Sequence, residues 1–405
     1  MHFDDGTIFN AWESFSLRET FTDPVGELHF TARPPPQLFD KYNERLQKGR
    51  LVGVNVNNVP QASCLITTVD TDVSKERGVV FDVDCKSPLT TIYEASADPE
   101  YSFASGSDTT VSTVILDLLK PYGFSELFVN ADEDVNIKTG KLVGQRDARP
   151  SLPALKHTEC RVNDGETVMQ VITRIVTRLG LCIRCDVGGR ILLSRPRFDQ
   201  DPAYSVVQDF DGKTPGDRWL DGVKVHDTND GQFSECVVRG KAADSKGTTT
   251  APRIAARVGV GAMAIVRPAG APFEKVQLTT LKDGPHQYSS VGVDDDNPPA
   301  PFKPKFVTDK FARDIERSKN AAMLVMAKAA KDAFVISGEV DGFLAKTGRV
   351  WTVDTVARTV VRARGVDLDA WMLERTLVQD RGGGQKARLK LIPKGSLVIG
   401  EVPGS

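Results

Sequence analysis

The chain has 405 residues, a formal net charge of −2, 40% hydrophobic residues and 26% charged residues, which is typical of a soluble protein of roughly two to four domains. The near-neutral charge argues against broad nucleic-acid affinity, because phosphate binding depends on clustered Lys and Arg. Neither export nor membrane insertion is predicted, since the N-terminus lacks an apolar signal region and the most apolar helical run, AAMLVMAKAA, is short and contains Lys328.

Residues 1–95 are predicted to form a first β domain, a small antiparallel barrel or sandwich. Short segments rich in β-branched and aromatic residues are separated there by Gly, Pro and Asn, as is typical of strands. These segments are TIFNAWESFSL, GELHFTAR, LVGVNVNN, SCLITTVDTDV and GVVFDVDC.

Residues 96–200 are predicted to form a small mixed α+β module. One helix is expected at about 109–120, and a second begins at Val168 after a capping box formed by Asn163 and Glu166. The segments LCIRCD and RILLSR follow as two antiparallel strands, joined by a two-residue turn at Gly188 and Gly189.

The cysteines are interpreted as packing residues. Cys182 and Cys185 are three residues apart on a strand, so they point to opposite faces and their Cα atoms stand about 10 Å apart. A disulfide bridges roughly 7 Å at most. The six cysteines, at 64, 85, 160, 182, 185 and 236, are scattered in a large chain in which no secretory signal is recognised, which predicts reduced thiols.

Residues 201–246 and 307–395 are predicted to form a second β domain with one packed helix, capped by Thr308. Its strand segments are GVKVHD, SECVVRGKA, AFVISGEV, RVWTVDT, TVVRARGV, WMLERTLVQD and ARLKLI. Between the two parts, residues 247–306 are rich in Gly, Pro and Ala, which predicts a loop-rich insertion or arm. Residues 396–405 form a C-terminal tail.

No catalytic, cofactor-binding or metal-binding residues are predicted, and the chain is not expected to be an enzyme. GVGAMA lacks a surrounding βαβ unit, RGGGQK is interpreted as a β-turn between two strands, and the acidic run at 294–296 as solvated loop. The five histidines, at 2, 29, 157, 226 and 286, show no metal-ligand spacing and are interpreted as structural.

The two ends of the chain carry opposite charge. Residues 1–95 contain 14 acidic and 9 basic side chains, a net charge of −5, whereas residues 343–394 contain 5 acidic and 11 basic side chains, a net charge of +6. We expect these fields to favour contacts between unlike ends of neighbouring copies.

The order of these pieces resembles the central baseplate hub proteins of contractile-tailed, Mu-like bacteriophages, which are related to the hub portion of type VI secretion spike proteins. The resemblance is carried by DDGTIFNAWESFSLRET, DCKSPLTTIYEAS, LLSRP and SGEVDGFLAKTGRVWTVDTVARTVV. The structural motif positions are Trp12, Gly348 and Trp351. Phe343 stands where the family has Trp, and Val353 with Asp354 where it has Pro-Asn.

This resemblance implies a mainly β, α+β fold with two tube-like antiparallel β domains. It also implies a homotrimer whose six domains form a pseudo-sixfold ring, joining the sixfold tail tube to the threefold spike. The expected partners are further copies of the chain, the tail tube protein, the spike protein and other baseplate proteins, in the virion after assembly in the host cytoplasm. The genome would pass through the central channel, without specific nucleic-acid binding.

Two other classes of function stay open. A carbohydrate- or cell-surface-binding β protein would show aromatic clusters on exposed strand faces, but aromatic residues make up 7% of the chain, and Trp12, Trp351 and Trp371 lie in apolar strand patterns. A cell-wall hydrolase attached to a tail would need a hydrolase motif, and none is recognisable.

Overall fold

The computed structural model describes most of both β domains and parts of the remaining chain. The described residues are 1–3, 6–74, 78–101, 111–129, 134–135, 142–143, 162–177, 181–198, 200–228, 235–240, 254–259, 275–280, 304–309, 325, 328–329, 331–380 and 382–394.

In chain order the strands are β1 His2–Phe3, β2 Trp12–Thr20, β3 Asp23–Ala32, β4 Leu51–Val56, β5 Val59–Ser74, β6 Gly78–Lys86, β7 Leu127–Val129, β8 Asp134–Val135, β9 Leu142–Val143, β10 Cys182–Cys185, β11 Ile191–Ser194, β12 Tyr204–Gln208, β13 Asp217–Asp227, β14 Glu235–Gly240, β15 Ile254–Gly259, β16 Lys275–Thr280, β17 Pro304–Asp309, β18 Phe334–Asp341, β19 Val356–Val361, β20 Val366–Asp380 and β21 Gly384–Pro393. The helices are α1 Phe39–Arg45, α2 Thr90–Glu94, α3 Val111–Leu119 and α4 Val168–Thr177.

The N-terminal lobe, strands β1 to β6 with α1, is an antiparallel sheet in the order β1-β4-β5-β6-β3-β2. Apolar and polar residues alternate along its strands, so that one face is buried and the other exposed. In β6, Phe81 and Val83 are buried, whereas Asp82 and Asp84 are exposed. Helix α1 covers the apolar face, where Phe39 stacks on Phe81 with 5.6 Å between ring centroids. The strands predicted for residues 1–95 are thus confirmed.

The barrel consists of β12, β13 and β18 to β21. The strands follow the order β20-β19-β12-β13-β18-β21, and β21 also pairs with β20, which closes six strands into a barrel. The strand β12 departs from the antiparallel pattern, because it runs parallel to both β13 and β19. Parallel neighbours normally need a long crossover, but β12 and β13 overlap at only Val206 with Asp217 and Val207 with Arg218, so the short connection 209–216 suffices.

Two parts of the second predicted β domain differ from expectation. RVWTVDT was predicted as a strand, yet residues 351–355 lie outside any strand because Asp354 has a positive φ of 60°. Thr308 lies within β17 and therefore does not cap a helix. Of the helix predicted to follow, residues 325, 328–329 and 331–333 are helical, and residues 310–324 fall outside the described residues.

Strands β14 to β17 form a separate four-stranded sheet in the order β16-β15-β14-β17. β15 and β16 lie inside the interval 247–306, which was predicted to be rich in loops, and β14 belongs to this sheet and not to the barrel. The rest of that interval, including the acidic run and GVGAMA beyond residue 259, falls outside the described residues. Within RGGGQK, Gly382 and Gly383 lie in a turn between β20 and β21, as the turn interpretation predicted.

The module, α2 to α4 with β7, β10 and β11, has its own apolar core. The predicted hairpin is confirmed, because β10 pairs antiparallel with β11. Its turn is longer than two residues, since the Asp186 carboxylate accepts hydrogen bonds from the amides of Gly188 at 2.9 Å and Arg190 at 2.8 Å. Helix α4 is capped at Thr167 with Gln170, whose side chains each accept from the other's amide, and not at Asn163.

Candidate functional site: the junction of the two lobes

One strand, β20, belongs to both β domains. Its residues 366–371 pair with β19 of the barrel, and residues 374–379 pair with β2 of the N-terminal lobe along the same edge. The strand β21 covers the opposite edge over residues 370–380. A single continuous strand therefore joins the lobe to the barrel, and the junction around it is the candidate functional site.

Arg375 is the charged side chain at the centre of this junction, and it is 1% exposed. Its Nε donates to the Glu19 carboxylate on β2 at 2.5 Å, and its Nη1 donates to Gln61 Oε1 on β5 at 2.7 Å and to the carbonyl oxygen of Trp351. Buried charge is tolerated only when it is paired and hydrogen-bonded. Arg375 meets this condition by binding three separate segments.

An exposed ion pair mirrors this contact on the same two strands. Arg18 on β2 donates from Nε to Glu374 on β20 at 3.1 Å, with the Arg18 side chain 49% exposed. Salt bridges of this kind contribute little to stability, because water already solvates both charges.

Asp354 forms a second buried node, between the barrel and the module, and it is 0% exposed. Its Oδ1 accepts from the amide of Arg197 at 2.8 Å and from the indole Nε1 of Trp371 at 3.1 Å, while its Oδ2 accepts from Arg197 Nε at 3.1 Å. Burial raises the pKa of this carboxyl, although Arg197 and Arg184 act to lower it. Asp354 thus fixes the segment after β11 against β20.

The motif residue Gly348 lies in a tight turn before Trp351. Gly348 has a φ of +78°, a conformation that favours glycine, and its amide donates to the Ala345 carbonyl at 2.8 Å. The turn returns the chain so that the Trp351 amide donates to the Phe343 carbonyl at 3.2 Å. Trp351 is completely buried, with its ring 4.7 Å from that of Tyr204.

The motif residue Trp12 lies at the start of β2 and is partly buried. Its ring packs edge-on against Phe15 at 5.1 Å, and Phe15 contacts Phe343 at 5.5 Å. The structure therefore brings Trp12 and the Phe343 segment together through Phe15, on the same side of the junction as the turn at Gly348.

The module also contacts the N-terminal lobe directly. Ser63 Oγ donates to the carbonyl of Val187 at the hairpin tip, at 2.9 Å. A cleft of about 50 Å³ beside this contact is lined by Glu19, Arg184 and Asp186, among others, and has space for a few water molecules. It is too small for a substrate of ordinary size.

The described cysteines behave as packing residues. Burial raises the pKa of the Cys64 and Cys182 thiols to about 12, so both are protonated at neutral pH and poor nucleophiles. Cys64, Cys85 and Cys182 are free thiols, whereas Cys160 lies outside the described residues.

No cluster of His, Cys, Asp or Glu suited to a metal ion occurs in the described part of the chain. Among the helices described, none is long and apolar enough to cross a membrane. His29 Nδ1 forms a hydrogen bond of 2.8 Å with Asp84 Oδ1 on the exposed face of the lobe. His157 and His286 lie outside the described residues.

Neither Arg375 nor Asp354 was predicted as a site residue. The signal that could have indicated them is charge inside an otherwise apolar run, Glu374 and Arg375 in WMLERTLV and Asp354 in WTVDTV, because such a charge must find a partner if the run is buried.

The fold has been seen in other proteins, although no family model and no curated protein matches the chain. The 43 kDa tail protein of prophage MuSo2 from Shewanella oneidensis aligns with a TM-score of 0.64 and 12% identity, over 97% of each chain. A tail protein from Neisseria meningitidis MC58 aligns with a TM-score of 0.64 and 15% identity, over 98% of this chain and 96% of that one.

A third solved structure, prophage tail protein gp18 from Listeria monocytogenes EGD-e, aligns with a TM-score of 0.52 and 11% identity, over 96% of this chain and 91% of that one. All three alignments include the N-terminal lobe, the barrel and the junction, since they span nearly the whole chain. The resemblance recognised in the sequence is therefore confirmed at the level of the fold: this chain has the fold of phage tail proteins.

Proposed function

We propose that the chain is a structural protein of a phage tail, and that three copies form the baseplate hub. In this trimer, six β domains would surround one channel and present six comparable faces to the tail tube and three to the spike. The observation that carries the proposal is the shared strand β20, because it holds two β domains of one chain in a single fixed relation.

The junction supports this proposal in two ways. Arg375 and Asp354 bind segments from the lobe, the barrel and the module, so the spacing of the two β domains is set by buried contacts. The similarity to tail proteins spans nearly the whole chain, so both domains take part in it. The motif residues Trp12, Gly348 and Trp351 would serve the same spacing, since they support the segment whose carbonyl binds Arg375.

A role in binding carbohydrate has no comparable support. Among the described residues, the exposed aromatic side chains are Tyr93, Phe210 and Phe306, which lie on three different elements. The structural role likewise involves no catalysis.

The test is the mass and shape of the purified full-length chain. We expect native mass spectrometry to give three times the chain mass of 44.2 kDa, and cryo-electron microscopy averages to show a ring with a central bore and six similar lobes. Monomers at all concentrations, or a closed particle without a bore, would contradict the proposal.

The mass should be the same with and without reductant, because the Cys64 and Cys85 thiols are free and buried. The variant Trp351→Ala provides a second test of the proposed trimer. It should lower the trimer fraction together with the thermal stability of the chain, since it removes a fully buried ring beside the Arg375 contact.

A further inference from the structure

Among the strands that the structure describes, β5 has a long edge without a neighbour. On that side it pairs with β4 only over residues 59–65, followed by the backbone contact between Ile66 and Arg50. Residues 67–74 continue beyond this point with β6 on the other side only. In the described part of the chain, the backbone groups along this edge have no strand beside them, and such edges readily pair with another chain.

The side chains beside this free edge divide into a polar and a less polar face. Asp70 and Asp72 lie on the outer face, where Asp70 is directly opposite Asp82. Thr71 and Val73 lie on the other face, and Val73 is 71% exposed. Like charges directly opposite each other are unfavourable, so this ribbon would be stabilised by a basic neighbour along its edge.

The barrel strand β13 has the complementary edge. It pairs with β12 only at Asp217 and Arg218, and residues 223–227 are bound to β18 alone among the described strands. Lys224 and His226 are exposed on its outer face, whereas Val223 and Val225 are half-buried on the other face and pack against the main core.

We propose that the β5 edge of one copy pairs with the β13 edge of the next copy, as adjacent antiparallel strands. With Asp72 opposite Lys224 and Asp70 opposite His226, the alternation of the strands places Val73 opposite Val223. The parallel register that joins the same charges places Val73 opposite Asp227 instead, which is why the antiparallel arrangement is preferred. The inference rests on the proposed trimer and names the surfaces that close it.

The contact has to form between copies. Asp70, Asp72, Lys224 and His226 are all exposed in the single chain, so the two edges do not cover each other there. A contact between two different surfaces generates a ring when the rotation closes, and each copy would supply one edge from its lobe and one from its barrel.

Charge reversal tests the pairing. The variants Asp70→Lys with Asp72→Lys, and Lys224→Asp with His226→Asp, should each raise the concentration at half-assembly by at least about tenfold, because the attraction between Asp72 and Lys224 becomes a repulsion and the polar contact between Asp70 and His226 is lost. The variant that carries all four substitutions should return to within about threefold of the wild-type value. Mass photometry over a dilution series gives these concentrations.

The matched control is Asp40→Lys with Glu44→Lys on α1. It changes the net charge of the same lobe by the same amount as the Asp70 and Asp72 variant, at exposed positions on the helix that covers the opposite face of the sheet. This control should raise the concentration at half-assembly by no more than about threefold, because it weakens the overall field of the lobe but leaves the paired edge unchanged.

Cysteine crosslinking tests the register independently of charge. Val73→Cys combined with Val223→Cys places two thiols opposite each other, within the Cα distance that a disulfide bridges. Mild oxidation should give covalent oligomers on a non-reducing gel, and Val73→Cys with Asp227→Cys should give far fewer.

The outcomes separate the two proposals. A wild-type chain that never exceeds the monomer mass overturns the proposed trimer and this pairing with it. A wild-type trimer in which the charge-reversed variants assemble normally, or in which the Val73 and Val223 thiols do not crosslink, overturns the pairing alone.

Discussion

Two arginine–glutamate contacts between β2 and β20 differ chiefly in burial. The Arg375 side chain is almost fully buried and is held by Glu19, Gln61 and the Trp351 carbonyl, whereas Arg18 binds Glu374 at the surface. The same pair of residue types on the same pair of strands therefore performs two different tasks, and only the buried one connects three segments.

Replacing Arg375 with Met should lower the free energy of unfolding by about 3–5 kcal/mol, because it leaves the buried Gln61 amide and the Trp351 carbonyl without their donor and the half-buried Glu19 carboxylate without its cation. The matched change Arg18→Met should lower it by less than about 1 kcal/mol. Urea unfolding of both variants measures the difference. Equal losses would show that burial of Arg375 has no special role.

The titration of Asp354 predicts the direction in which stability changes with pH. Its pKa in the folded chain is raised by burial, so the folded state holds the proton more tightly than the unfolded state does. The stabilising contribution is therefore fully present below the unfolded value of about 3.9 and is lost as the pH rises through the folded value.

The variant Asp354→Asn removes this titration and keeps the Oδ1 acceptor for Arg197 and Trp371. We expect the unfolding free energy of the wild type minus that of the variant to be largest near pH 3.5, and to fall as the pH rises above about 4. Urea midpoints measured from pH 3.5 to 7 follow this difference. A difference that grows with pH would mean that Arg197 and Arg184 lower the pKa of Asp354 by more than burial raises it.

At the scale of elements, local patterns were sufficient for most strands. In β6, buried and exposed residues alternate as the sequence alternates, and the β10–β11 hairpin was predicted from its composition. Prediction was wrong where side chains override the pattern: the Asp186 carboxylate extends the hairpin turn, and the left-handed backbone at Asp354 prevents the strand expected in RVWTVDT.

The bulge between Trp219 and Val223 on β13 depends on a glycine in the neighbouring strand. Gly338 on β18 lies under the Trp219 ring, and a Cβ at this position would be 2.6 Å from Cε3 of that ring and 3.0 Å from the Gly222 carbonyl oxygen. The ring thus occupies the space that any other residue at 338 would need.

Gly338→Ala should destabilise the chain by about 1–3 kcal/mol, as is usual for overpacking. Gly26→Ala in β3 is the matched control, because its Cβ would have contacts of 3.5 Å and 3.8 Å, and it should be close to neutral. Thermal unfolding of the two variants compares them. A neutral Gly338→Ala variant would show that the Trp219 ring moves freely.

At the scale of the whole molecule, the junction could not be predicted from the sequence. Glu19 and Arg375 are 356 positions apart, and Arg197 and Asp354 are 157 apart. Periodicity reports which face of a strand is buried but not which distant residue faces it. The β-rich fold could be predicted from the sequence, because it depends on patterns within each segment and on the order of the motifs along the chain.

The opposite charges of residues 1–95 and 343–394 predict that assembly weakens with salt. Raising NaCl from 50 mM to 500 mM should increase the concentration at half-assembly several-fold, since screening shortens the range of these fields from above about 10 Å to well below it. Sedimentation velocity measures the change, with sucrose at matched osmolality as the control. Assembly that is indifferent to salt would remove the role assigned to charge.

The shared strand β20 also determines how the molecule carries load. Its hydrogen bonds to β19, β2 and β21 lie across its axis, so a thrust along the strand loads many of them together in shear. The backbone runs from one half to the other without a loop that could act as a pivot. We therefore expect a displacement of the lobe along this strand to move the barrel with it.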